Sequence, residues 1–201
     1  LFGDGVVRAV SGADGTELWT ASEGALRVWP NTQQAAAELD PASDGPEIVI
    51  VNTAGEVVCL DRHGVEIWRT DPGVSLDNKS APAIHDMNAD GFPEVIVGRV
   101  ILSSFGEILG TGEYGEAANE GKGALSFAVD LDADGALEVV VGNAVYDMLG
   151  TAECHNDELD GYPAVADFDL DSDPEVVVVS EGTIRLQDHQ CNVLWGPITI
   201  A

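Results

Sequence analysis

An all-β fold, a β-propeller of about four four-stranded blades plus a leading hairpin, is predicted by three observations: an internal repeat, short Val- and Ile-rich runs between turn residues, and abundant glycine. The repeat is plainest in Ala83–Val97, Phe127–Val141 and Ala164–Val178, where a small-residue strand runs into an acidic loop and a Val-rich strand leaves it. A worn copy spans Ala36–Ile50. The glutamates that close these loops, Glu47, Glu94, Glu138 and Glu175, stand 47, 44 and 37 residues apart. Glycine occurs 23 times in 201 residues, which favours turns over long helices.

The elements follow in order. Val6–Val10 and Glu17–Trp19, joined at Asp14-Gly15, form the leading hairpin, blade 1–20 in part. First strands of the next units fall at 34–39, 81–86, 124–130 and 163–167, and the blades at 33–69, 80–110, 123–154 and 162–196. Each unit ends in a strand–turn–strand hairpin. Trp19, Trp68 and Trp195 stand four residues after the turn positions Gly15, Gly64 and Cys191; Gly110 and Cys154 hold that slot after Gly106 and Gly150. Residues 112–123 read as a loop insertion, and no domain boundary is visible. The leading hairpin lacks two inner strands and nothing after Trp195 supplies them. The chain also begins at Leu1, so a processed or excised piece of a larger or assembled propeller is expected.

Charge narrows the partners. Eight Lys plus Arg against 36 Asp plus Glu give a net charge of −28, which excludes nucleic acid and an anionic membrane surface. No apolar run reaches the roughly 18 residues of a membrane span. The acids concentrate in the loops. Asp86-x-Asn88-x-Asp90-Gly91-x-x-Glu94 and Asp130-x-Asp132-x-Asp134-Gly135-x-x-Glu138 share one spacing, and Asp167-x-Asp169-x-Asp171-Ser172-x-x-Glu175 nearly shares it. Alternate carboxylates curl around one centre because the intervening side chains point away, and calcium takes six to eight oxygens. The carbonyls of Phe92 and Ala136, with Asp173 in the third loop, and the acid at position nine complete the set. About three calcium ions are expected. Asx turns alone are the plainer alternative, but unneutralised carboxylates at this density repel one another. In the worn copy Pro41, Ala42 and Ser43 fall where ligands belong.

The Asp-x-Asp-x-Asp-Gly-x-x-Glu loop followed by Val-Val-Val-Gly resembles the FG-GAP/VCBS repeat family, the blades of integrin α-subunit propellers. Glu at position nine instead of Asp departs from it, and the Gly-turn-Trp hairpin is similar to quinoprotein-type blades instead. The resemblance implies a calcium-stiffened, extracellular or cell-surface module for adhesion, ligand binding or assembly, with a protein or glycan partner. Further propeller sequence in the same chain, or self-association, is expected to cover the terminal blades.

No nucleophile, phosphate-loop or metalloprotease motif appears, so the chain is read as non-catalytic. A lectin-like or accessory propeller of a carbohydrate-active enzyme is the alternative. His63, His85, His155 and His189 are scattered and expected in solvent. The tryptophans are expected to pack between blades rather than to stack on sugars. Cys59 reads as core. Cys154 and Cys191 can pair if the chain is exported, but Cys154 ends an outer strand and Cys191 begins one, a strand length apart, which argues against the bond. Asn78-Lys79-Ser80 is a lone glycosylation sequon.

Overall fold

A computed structural model describes residues 5–21, 26–30, 32–76, 80–119 and 122–200; Asn78 and Lys79 of the sequon lie outside them. The hairpin of β1 (Arg8–Val10) and β2 (Glu17–Thr20) is followed by four antiparallel four-stranded sheets. These are β3–β6 (Ala35–Ala37, Glu47–Val51, Val57–Leu60, Glu66–Thr70), β7–β10 (Ala83–His85, Glu94–Val97, Val100–Leu102, Ile108–Thr111), β11–β14 (Phe127–Val129, Glu138–Val140, Ala144–Tyr146, Ala152–His155) and β15–β18 (Tyr162–Ala166, Glu175–Ser180, Thr183–Gln187, Val193–Thr199). In each sheet the strands lie in chain order, a meander from the innermost to the outermost strand. The described residues contain no α-helix, hence none long and apolar enough to cross a membrane.

The two middle strands of the blades β3–β6, β7–β10 and β11–β14 are buried at nearly every position of both faces, which explains their unbroken Val, Ile and Leu, whereas in β15–β18 one face is only partly covered. Alternate residues go to opposite neighbours. Val49, Val51, Val57 and Cys59 of one blade pack against Val95, Val97, Val100 and Leu102 of the next. Ile96 and Ile101, on the other face, meet Val139, Val141 and Tyr146. Cys59 is fully buried as expected, and burial pushes its thiol up to about 12.

The hairpins supply a second kind of joint. Each outer turn is an Asx or Ser turn: Asp61 Oδ1 accepts the N–H groups of His63 and Val65, and Ser103 Oγ, Asp147 Oδ1 and Asp188 Oδ1 do the same in later blades. The residue four after one turn seats on the turn of the following blade. A Cβ at Gly64 would fall 2.6 Å from the Trp19 ring, and one at Gly106 would fall 2.6 Å from Trp68, so only glycine fits. The indole N–H of Trp19 donates to Arg62 O at 2.7 Å and that of Trp68 to Ser104 O at 3.0 Å. Packing between blades is thus the role of both tryptophans.

The same joint corrects the expectation for the cysteines. Cys154 and Cys191 form a disulfide with Cα atoms 5.7 Å apart. They are a strand apart when both are referred to a single blade. In the propeller, however, the slot of one blade abuts the turn of the next, and the bond crosses that boundary. Of the histidines, His63 and His155 are exposed as expected, His155 stacking on Tyr114 with ring centroids 3.8 Å apart, whereas His85 and His189 are half-buried and burial lowers the pKa of His85.

Candidate metal centres

All four acidic loops share one element that spacing alone did not reveal. The glutamate opening the second strand is buried, 3–5 % exposed, and its Oε2 accepts a backbone N–H at the start of its own loop. The bonds are Glu47 to Leu39 at 2.8 Å, Glu94 to Met87 at 2.9 Å, Glu138 to Leu131 at 2.7 Å and Glu175 to Phe168 at 2.8 Å. Glutamate is one methylene longer than aspartate and reaches across the loop. This tie accounts for Glu at position nine.

The loops are curled around this tie. Ala89, Ala133 and Leu170 at position four take left-handed φ of 57°, 60° and 67°. Gly91 and Gly135 at position six lie at 89° and 94°, and Ser172 at 86° stands where its counterparts are glycine. A serine there carries strain that glycine avoids.

Carboxylates point inward. Asp130, Asp132 and Glu138 bring oxygens within 4.8 Å of one another, and Asp167, Asp169 and Glu175 do the same. Each group is positions one, three and nine, and each can hold a metal ion. Asp134 and Asp171, at position five, lie outside these groups; they accept the N–H of Ala136 and Asp173 at 2.8 and 3.0 Å. In the loop of Asp86, both carboxylate oxygens take backbone N–H groups, from Asp90 and Gly91. Asn88 turns its amide to Asp90 at 3.1 Å, and Glu94 is tied to Met87. Phe92 is 40 % exposed and packs on Phe105.

The loop of blade β11–β14 fits a cation best. Asp130 Oδ1 is buried and has no hydrogen-bond partner. Burial pushes the Glu138 carboxyl up to about 7, helped by Glu153, Asp132 and Asp130 and opposed by the Leu131 N–H. A cation at this point would supply what both oxygens lack. Glu153 is an acid the spacing did not single out. Burial and the charges of Asp132, Asp147 and Asp134 raise its pKa. It stands one residue before the slot, where the other blades have Leu18, Ile67, Leu109 and Leu194, so lining up the hairpins reveals it. In the third loop, partial desolvation of the exposed Asp169 carboxylate and the charges of Asp171 and Glu175 raise its pKa.

In the worn copy a hydroxyl fills the centre. Ser43 Oγ lies 2.9 Å from Glu38 Oε1 and 2.6 Å from Glu47 Oε1, Asp40 caps Ala42 N, and Asp44 pairs with Arg62.

The family model described as outer membrane protein assembly factor BamB (PQQ_2) matches residues 3–146. No curated protein matches the sequence. Among solved structures, the biofilm matrix protein Bap1 of V. cholerae superposes with a TM-score of 0.77 at 27 % identity, over 94 % of this chain and 32 % of that one. The rhamnogalacturonan lyase YesW gives 0.68 at 20 % identity, over 96 % and 38 %. BamB from Moraxella catarrhalis gives 0.61 at 14 %, over 97 % and 56 %. The chain therefore spans about a third of Bap1's length and little more than half of BamB's. These matches confirm the β-propeller and correct the FG-GAP/VCBS resemblance: the acidic loops imitate that family, while the hairpins that join the blades are of the quinoprotein type. With most of its length matched, the chain belongs to the BamB-like PQQ-type propeller family.

Proposed function

We propose that the chain is a calcium-stiffened, non-catalytic β-propeller module that acts outside the cytoplasm in adhesion, ligand binding or matrix assembly. The observation that carries the calcium reading is Asp130 Oδ1, buried without a partner beside Asp132 and Glu138. Only oxygen ligands are offered, which favours a hard divalent cation, and calcium tolerates the irregular geometry of such loops better than magnesium. The ion is assigned to the loops of Asp130 and Asp167 first. The loop of Asp86 takes a third once Asn88 turns its carbonyl inward. The chain's own residues hold the loop ends together through the Glu–N–H tie and present the carboxylates; the ion neutralises them and links the two strands.

Location outside the cytoplasm is supported by the Cys154–Cys191 disulfide, a bond that persists in oxidising compartments. The similarity to a biofilm matrix protein and to an outer-membrane assembly factor points the same way. A protein or glycan ligand suits this reading, and the charge of −28 disfavours nucleic acid.

Calorimetric titration of EDTA-stripped protein with calcium tests the proposal. Saturable binding that Asp132→Asn weakens is expected, and no heat at millimolar calcium would refute it. The second reading, an accessory propeller of a polysaccharide lyase, is favoured by the similarity to rhamnogalacturonan lyases along 96 % of this chain. Binding on a glycan array that includes rhamnogalacturonan fragments would move the assignment there.

A further inference from the structure

Two neighbouring joints of the same design differ in how well they are filled. Where blade β7–β10 meets β11–β14, Met87, Ile101, Leu109 and Met148 pack in one cluster. Strand pairing sets Cys59, opposite Trp68, at the place of Ile101, opposite Gly110. Ser104, like Met148, stands two residues before its turn glycine, and Leu39 holds the place of Met87 at the start of its acidic loop. Where β3–β6 meets β7–β10 the corresponding residues are therefore Leu39, Cys59, Ile67 and Ser104, and cysteine and serine are much smaller than the Ile and Met they replace. The Trp68 indole does not make up the difference. It is held over Gly106 by its bond to Ser104 O and forms one wall of the space that is left. That space is a cavity of about 130 Å³, lined by these residues and Phe105. Both blades are complete four-stranded sheets, so the cavity is a feature of the interior of the propeller.

We propose that this cavity binds a neutral, single-ring molecule bearing one hydroxyl, of the size and chemistry of a phenol. An apolar cavity of roughly 150 Å³ takes a benzene ring, and this one is close to that size. Its walls are mostly apolar, and the Cys59 thiol, protonated at neutral pH, adds no charge. Ser104 supplies the one polar feature among them: it is 4 % exposed, and its Oγ is buried without a hydrogen-bond partner. A hydroxyl left in that state costs free energy until a partner meets it, which a ligand hydroxyl would do. Ile67 and Phe105, 54 % and 57 % exposed, form the walls nearest solvent, where a ligand enters. Asp40 and Glu47 also line the cavity and no Lys or Arg does among the described residues, so a ring carrying a carboxylate is disfavoured. The loops assigned to calcium take no part, so the site stands or falls separately from ion binding.

Titration of the chain with phenol, followed through the Trp68 indole N–H resonance, tests the assignment. Phenol should shift that resonance saturably, and benzoate should bind at least ten-fold more weakly. The neighbouring joint supplies the blocking variants. Cys59→Ile and Ser104→Met each restore the residue type found there and should abolish the shift. They fill the cavity from different sides, so a failure of one to fold, seen by circular dichroism, leaves the other to decide. Ser104→Ala keeps the space and removes the hydroxyl. It should weaken phenol roughly five-fold, the worth of one hydrogen bond, and leave benzene binding unchanged. Absence of a saturable shift, as for a cavity that holds only water, would overturn the proposal. So would phenol binding that persists in a folded blocking variant, or benzoate binding as tightly as phenol.

Discussion

The loops Glu38–Glu47 and Asp130–Glu138 have the same frame and opposite contents. Both close with a buried glutamate that accepts a backbone N–H at the loop's start, 2.8 Å in one and 2.7 Å in the other. Inside the first, the Ser43 hydroxyl sits between Glu38 and Glu47. Inside the second there is no hydroxyl, Asp130 Oδ1 has no partner, and the Glu138 carboxyl is pushed up to about 7. The glutamate is therefore a fold element in all four blades, and in the first of these loops a serine hydroxyl stands where the proposal places an ion in the other.

The largest effect expected is from removing the tie. Glu47→Ala and Glu138→Ala each leave a buried N–H without its acceptor, with a cost of about 3 kcal/mol by chemical denaturation in the absence of calcium. In calcium the two should part: Glu138→Ala also loses the Asp130 loop's share of the response to the ion, and Glu47→Ala keeps the whole of it.

The next effect is on pH dependence. Between roughly pH 4.5 and 7 the folded chain keeps the Glu138 proton that the unfolded chain has released. Stability of the calcium-free protein should therefore fall as pH rises through that window, by up to about 3 kcal/mol. Calcium binds the carboxylate, so its affinity should rise across the same window. Urea midpoints at pH 5 and pH 7.5, with and without calcium, measure both signs. Glu138→Gln should flatten the calcium-free profile.

Much of the fold was legible because turn chemistry and strand composition recur at blade spacing. Ala83–His85 and Glu94–Val97 lie where the small-residue and Val-rich runs place them. The tie was not legible, since an acid at position nine reads as a ligand whichever way its carboxylate points. The disulfide was misread for a geometric reason: reference to one blade separates Cys154 from Cys191, and only blade-to-blade stacking brings slot and turn together. Glu153 lies outside the loop spacing and is legible only along the hairpins, as an acid in a column of Leu and Ile.

Smaller effects sharpen the contrast. Asp132→Asn should lose roughly 0.4–1.4 kcal/mol of stabilisation by 1 mM calcium, the range for a site of ~0.1–1 mM affinity. Asp40→Asn, in the serine-filled loop, should change nothing that depends on calcium. Glu153→Leu, restoring the residue type of the other blades, should weaken the Asp130 site by a few-fold in titration calorimetry and leave the Asp167 site alone.

Thermal melting of the chain in EDTA and in 1 mM calcium tests the central claim most directly. With two or three loops responding, the ion should add about 1–4 kcal/mol and raise the melting temperature by roughly 3–10 °C. Asp132→Asn should diminish that rise. Identical melting temperatures in EDTA and calcium would contradict the account, leaving the acidic loops as turns held together by their glutamates alone.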